Sequence, residues 1–294
     1  MSAPSRSAPR ASAATGVQRR SAICLASLAV GVLLVPSPAP AAEPIVPIDL
    51  LLCQQAIGKE ALRFVKRVHK AWRICRDADT RGQGCDPARR DAAIADAAAK
   101  LARRSEPRCD AVTLESLGFP EACDDPDGAP FTVAELLACL DGSHRLRVGA
   151  AIAAAYPDGA GPLAGAALRC QRALGVGGEQ LLARRLRARQ SCRNDQLSGA
   201  VAPEVDCRAD PPPGGPGTGH GKTDRRLATA TEQLVKVATR RCAEVALTTL
   251  DFPGACADPD GAPFTLADLV ACLRDGHGAH AEAMFAIEYP AGAP

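Results

Sequence analysis

The sequence predicts an all-α protein made of two tandem, disulfide-stapled helical-hairpin units, each carrying an additional short capped helix. Three observations lead there. Twelve of the 13 cysteines fall into two sets of six, Cys53, Cys75, Cys85, Cys109, Cys123, Cys139 and Cys170, Cys192, Cys207, Cys242, Cys256, Cys272, at intervals of 22, 10, 24, 14, 16 and 22, 15, 35, 14, 16. Apolar residues recur in steps of three and four over long stretches, the signature of one helix face turned to a core. The octapeptide DPDGAPFT stands at 125–132 and again at 258–265, both times ahead of a helix start.

The two cysteine sets sit among other matching letters. CQQAIG at 53 answers CQRALG at 170, LGFP at 117 answers LDFP at 250, and the chain's two tyrosines, Tyr156 and Tyr289, both precede proline. Repetition of this kind marks a duplicated unit. The units are read as 48–157 and 165–291, the second lengthened by a low-complexity insertion at 208–222 that contains ADPPPGGPGTGHGK. Two modest domains are expected, each burying its own small core.

The elements follow in chain order. Residues 1–42 read as a signal peptide: Arg6, Arg10, Arg19 and Arg20 precede an apolar run from Ala22 to Val35, and PSPAPAA follows with small residues for cleavage. That run is too short for the roughly 20 residues that span a bilayer. The first helix carries Cys53, Ile57, Ala61, Phe64, Val65, Val68, Trp72 and Cys75 on one stripe. In the second copy, Gly175, Gly177 and Gly178 weaken the same stripe by about 1 kcal/mol each against alanine. A second helix opens with Asp86 as cap and Pro87 at the first helical position. It is expected to end near Ser105, because Pro107 disfavours helical geometry just before it. Its counterpart is expected to start at Thr223 and to reach Val245. Helices joined this way form an antiparallel hairpin.

The octapeptide resolves as a turn followed by a helix start. Thr132 and Thr265 are N-caps, Glu135 and Asp268 complete capping boxes, and Phe131 and Phe264 are placed to staple against Leu136 and Leu269. A calcium loop needs oxygen ligands at alternate positions over twelve residues, closed by a bidentate acid, and here the spacing is too short.

Removal of residues 1–42 leaves 31 basic against 33 acidic residues. Without a basic excess no nucleic-acid partner is expected. No later stretch is long and apolar enough to cross a membrane. GPGTGHGKT at 215–223 puts Pro216 where a phosphate-binding loop needs its first glycine, and it follows DPPP rather than a strand. C-x-x-C, H-E-x-x-H and G-x-S-x-G are absent. Trp72 is read as core packing.

Disulfide pairing follows from helix geometry. Cys53 and Cys75 lie about 33 Å apart on one helix and about 40° apart around it, so both face the partner helix and cannot bond each other. In the hairpin Cys53 meets Cys109 and Cys75 meets Cys85, leaving Cys123 with Cys139. The second unit gives Cys170 with Cys242, Cys192 with Cys207, and Cys256 with Cys272. With every thiol paired, no cofactor and no metal are expected.

The residues CQQAIG, LGFP, FTVAELLACL and the closing YP resemble uncharacterised secreted cysteine-rich tandem-repeat proteins of environmental bacteria. The resemblance covers nearly the whole chain after residue 42 and implies a fold and a compartment without an activity. Relatives often carry a further cysteine between the last Cys and the His of each unit, where Gly142 and Asp275 stand here. That departure weakens a metal or haem site at His144 and His277, the histidines five residues beyond Cys139 and Cys272.

The function expected is a secreted or periplasmic non-catalytic module, binding or structural, with an unknown envelope or extracellular partner. The alternative is an extracytoplasmic enzyme or metal-binding protein with a site between the two units. Its candidate groups are Asp127, Asp260, His144 and His277.

Overall fold

Apolar residues spaced by three and four bury one face of α1 (Ile48–Asp79) along Cys53, Ile57, Ala61, Phe64, Val65 and Val68. Helix α2 (Pro87–Cys109) starts where Asp86 accepts the Arg89 N–H at 3.0 Å, and it folds back along α1. A 3₁₀ turn (Leu114–Leu117) leads to α3 (Val133–Ala155). The same succession follows in α4 (Gly165–Leu197), α5 (Gly221–Cys242), a second 3₁₀ turn (Leu247–Leu250) and α6 (Leu266–Glu288). In this computed structural model, residues 46–121, 123–125, 128–211, 217–256 and 262–291 are described. The expected signal peptide at 1–42 and the candidates Asp127 and Asp260 lie outside them. The described residues are all-helical and belong to one compact unit.

Six disulfides staple the helices. Cys53–Cys109 and Cys170–Cys242 tie each hairpin at its open end, which fixes the hairpins as antiparallel. Cys75–Cys85 and Cys192–Cys207 anchor the segments leaving α1 and α4, and Cys123–Cys139 and Cys256–Cys272 clasp the turns before α3 and α6. Disulfides in this number belong to an oxidising compartment. No helix of the described residues is long and apolar enough to cross a membrane.

Both capping boxes form, with the Thr132 and Thr265 N–H groups donating to Glu135 and Asp268 at 2.7 and 2.8 Å. Phe131 stacks on Phe119, and Phe264 on Phe252, at centroid distances of 6.3 and 6.4 Å, so each phenyl also pins the turn after the 3₁₀ element.

Several expectations are corrected. The third helix of each half is not short: α3 and α6 have 23 residues each. Leu140, His144, Val148, Ala151, Ile152 and Ala155 continue the buried stripe past Gly142, and this packing outweighs the glycine cost of about 1 kcal/mol. Helix α2 passes Ser105 and contains Pro107 in its last turn, where buried Ser105 and disulfide-bonded Cys109 hold it to α1. Helix α5 starts at Gly221 and stops at Cys242, with Thr223 buried inside its first turn. The expected separate cores are one continuous core. Helix α1 packs on its counterpart α4 and α3 on its counterpart α6, while α2 and α5 lie outside this four-helix centre. Counterpart meeting counterpart is the arrangement of an isologous, two-fold contact.

Candidate functional site

The letters shared by the two halves converge on the seam between them. Gln54 of CQQAIG donates to the Glu288 carbonyl at 2.7 Å, and Gln171 of CQRALG donates to the Ala155 carbonyl at 2.5 Å. Each glycine of the motif sits beneath the tyrosine hydroxyl of the opposite half, Gly58 under Tyr289 and Gly175 under Tyr156, with no room for a Cβ. The hydroxyls then donate within their own halves, Tyr289 to Asn194 Oδ1 at 3.0 Å and Tyr156 to Asp77 Oδ1 at 2.8 Å. Burial, then the neighbouring Glu288 or Asp77 carboxylate, pushes both phenols far above their ordinary range. The turn ends also cross the seam: the Gly159 N–H donates to Asp251 at 2.9 Å and the Ala291 N–H to Glu121 at 2.6 Å.

His144 and His277 are both fully buried in mid-helix rather than near a helix end, and the seam treats them differently. His144 Nε2 lies 2.9 Å from Glu288 Oε1, and Gln190 Nε2 donates to Glu288 Oε2 at 2.5 Å and to the Gly58 carbonyl at 2.9 Å. Burial raises the Glu288 pKa, opposed by His144 and Gln190. The residue equivalent to Glu288 in the first half is Ala155, which offers no carboxylate. Accordingly neither ring nitrogen of His277 has a side-chain hydrogen-bond partner, and its Nε2 rests over Gly178. His69 of α1 is buried and unpartnered as well, with Nδ1 3.9 Å from Glu179, which Arg73 Nε holds at 2.9 Å. Burial, helped by His277, lowers the His69 pKa to about 3. Burial, helped by His280, lowers that of His277 to about 4. Both rings are neutral at pH 7.

This seam is chemistry turned inward. Among the described residues, the one group of three donor side chains within 4.8 Å of one another is Cys75, Asp79 and Cys85. The two sulfurs there are already joined, and Asp79 accepts the Cys85 N–H at 2.6 Å, so no thiolate is offered to a metal. Trp72 packs partly into the core beneath Arg90, whose guanidinium carbon lies 4.1 Å from the ring centroid.

The surface is where the open concavities lie. One groove of about 460 Å³ runs between α4 and α5, with Arg184, Arg187, Lys222, Arg225 and Arg226 in its walls. A second, of about 400 Å³, lies between α1 and α4, with Lys59, Arg63, Lys66 and the same Arg187. Five cations and four, with Arg187 common to both, make eight, all exposed, and neither lining includes a carboxylate. Arg63 pairs with Glu60, and Lys222 with Asp195 at 3.1 Å; the other six have no ion-pair partner among the described residues. Net charge gave no hint of this face, because it counts charges without placing them. The signal present in the sequence was the spacing of Lys59, Arg63 and Lys66, which shares one helix face.

The described parts of the insertion, 208–211 and 217–222, are tied to the helices and to the segment before them. Arg185 and buried Arg189 both reach Asp210, at 2.7 and 2.9 Å, and the Asp206 N–H donates to the Thr218 carbonyl at 3.1 Å. Compared with protein-family profiles, curated proteins and solved structures, the chain matches none.

Proposed function

We propose that the protein is a secreted or periplasmic, non-catalytic binding module that engages its partner through the cationic face of α1, α4 and α5. The observation that carries this reading is the separation of two kinds of residue. His69, His277 and Glu288, whose pKa values are shifted, are buried in the seam, where they meet other helices, and the two grooves flanking α4 carry cations with no carboxylate or histidine in their linings. Catalysis by general acid and base needs a titrating pair within reach of a substrate. A rigid, disulfide-stapled display surface needs none. Six disulfides support the extracytoplasmic compartment. The matching motifs support this rigidity, since they tie α1 to α6 and α4 to α3, and Gln190 of α4 donates to the Gly58 carbonyl of α1.

The test is affinity capture from cell-envelope extracts with the processed protein, using wild type and a variant with Arg184 and Arg187 both changed to Gln. A component retained by wild type and lost by the variant fits the reading. Turnover of an extract component with no retained partner contradicts it.

A further inference from the structure

We infer that the cationic face binds a linear polymer bearing phosphate groups, laid across α1, α4 and α5; this rests on the proposed binding function and names its ligand class. Charge is the first argument. Eight exposed cations line two adjoining grooves, and six of them lack a carboxylate partner among the described residues. Guanidinium forks suit tetrahedral oxyanions because they donate two parallel hydrogen bonds, and five of the eight cations are arginines.

Dimension is the second argument. Packed helices stand about 8–10 Å apart, so a ligand touching all three helices must reach about 20 Å. A small oxyanion fills one groove only. A chain of phosphates reaches both through Arg187, and linked contacts raise its affinity far beyond that of one unit. Along each helix, cations three and four residues apart stand about 5–6 Å from one another, a spacing that a repeating anionic chain can follow.

The same surface disfavours the other anionic partners. Unspecific binding of single-stranded nucleic acid relies on aromatic platforms for the bases, and neither groove is lined by an aromatic side chain. A membrane-surface helix needs an apolar face beside its cations, whereas the larger aliphatic side chain in these linings, Leu62, is packed partly against the core.

The experiment titrates fluorescently labelled long-chain polyphosphate into the processed protein at several salt concentrations, with tripolyphosphate, anionic phosphatidylglycerol vesicles and single-stranded DNA as comparison ligands. If about six charges are neutralised, log K falls on log salt with a slope near −4, or about 300-fold between 50 and 200 mM. Arg184→Gln with Arg187→Gln is expected to weaken binding at least about tenfold and to bring the slope to about −3. Arg81→Gln with Arg89→Gln carries the same charge change on exposed residues elsewhere and should leave binding unchanged. Tripolyphosphate should bind at least about a hundredfold more weakly than the polymer. Equal loss in both double variants, equal affinity for tripolyphosphate, or preference for vesicles or DNA over polyphosphate would overturn the inference. If polyphosphate is not bound while an envelope component without phosphate is captured in an Arg184- and Arg187-dependent way, the ligand class fails and the binding function stands.

Discussion

Lowering the pH from 7.5 to 5.0 should remove about 4 kcal/mol of stability through His69 and His277 alone. Each ring titrates near 6.5 when unfolded and is held down to about 3 and about 4 when folded. The unfolded chain therefore binds more protons, and stability falls with pH. The contribution is fully present above about pH 6.5 and declines through the window down to the folded values, at about 1.4 kcal/mol per pH unit for each ring. Over the part of that window above pH 5.0, each ring loses about 2 kcal/mol. Around His69 stand Arg73, His277 and Glu179, and around His277 stand His280, Arg185 and His69. Only Glu179 among these favours a charged ring, and at 3.9 Å from His69 it makes no hydrogen bond. Glu288 works in the opposite sense, because its raised pKa relieves its burial cost as pH falls. Urea unfolding with disulfides intact, followed by circular dichroism, should show the midpoint falling by about 1–2 M across this range. His277→Met removes one titrating ring at similar volume and should halve the slope between pH 6 and pH 5. The same slope in wild type and in the His69→Met and His277→Met variants would refute the reasoning.

Other outcomes follow from named contacts. Gly58→Ala drives a methyl into Tyr289, held by Asn194, and should cost about 2–3 kcal/mol in urea unfolding, whereas Gly142→Ala meets open space in a helix and should gain about 0.5–1 kcal/mol. Glu288→Ala strands His144 and Gln190 in the seam and should cost about 3–5 kcal/mol, with Glu288→Gln costing clearly less. Replacing Cys53 and Cys109 together by Ala opens a loop of 56 residues and should cost about 4 kcal/mol, against about 2.7 kcal/mol for Cys75 with Cys85, which close 10. Calorimetric unfolding ranks the two, and non-reducing peptide mapping checks all six pairs.

What the sequence made legible was local or periodic. The capping boxes at Thr132 and Thr265, the Asp86 cap and the hairpin geometry behind Cys53–Cys109 each depend on residues within a turn or on one helix face. What it hid depends on which faces meet. The helix capped by Thr132 reads as short until its buried stripe beyond Gly142 is seen to pack on α6. Gly175 and Gly178 read as helix weakeners, yet each is where a Tyr156 or His277 side chain approaches the α4 backbone. CQQAIG and YP were visible as matching letters, but their reason is contact with the opposite half. Six partners of the seam and surface, Glu288, Gln190, His69, Glu179, Arg184 and Arg187, carry no local motif at all. Their roles exist only once α1, α4 and α6 stand side by side.

An anionic chain held on one face, built by helices of both halves, would shield the lysines of that face. Lysine acetylation mapped by mass spectrometry reads this face directly, since Lys59, Lys66 and Lys222 line the grooves while Lys100 pairs with Asp96 on α2. With polyphosphate bound, acetylation at Lys59, Lys66 and Lys222 should slow together, with Lys100 unchanged. Protection spread evenly over all four lysines, or confined to Lys100, would contradict binding on that face.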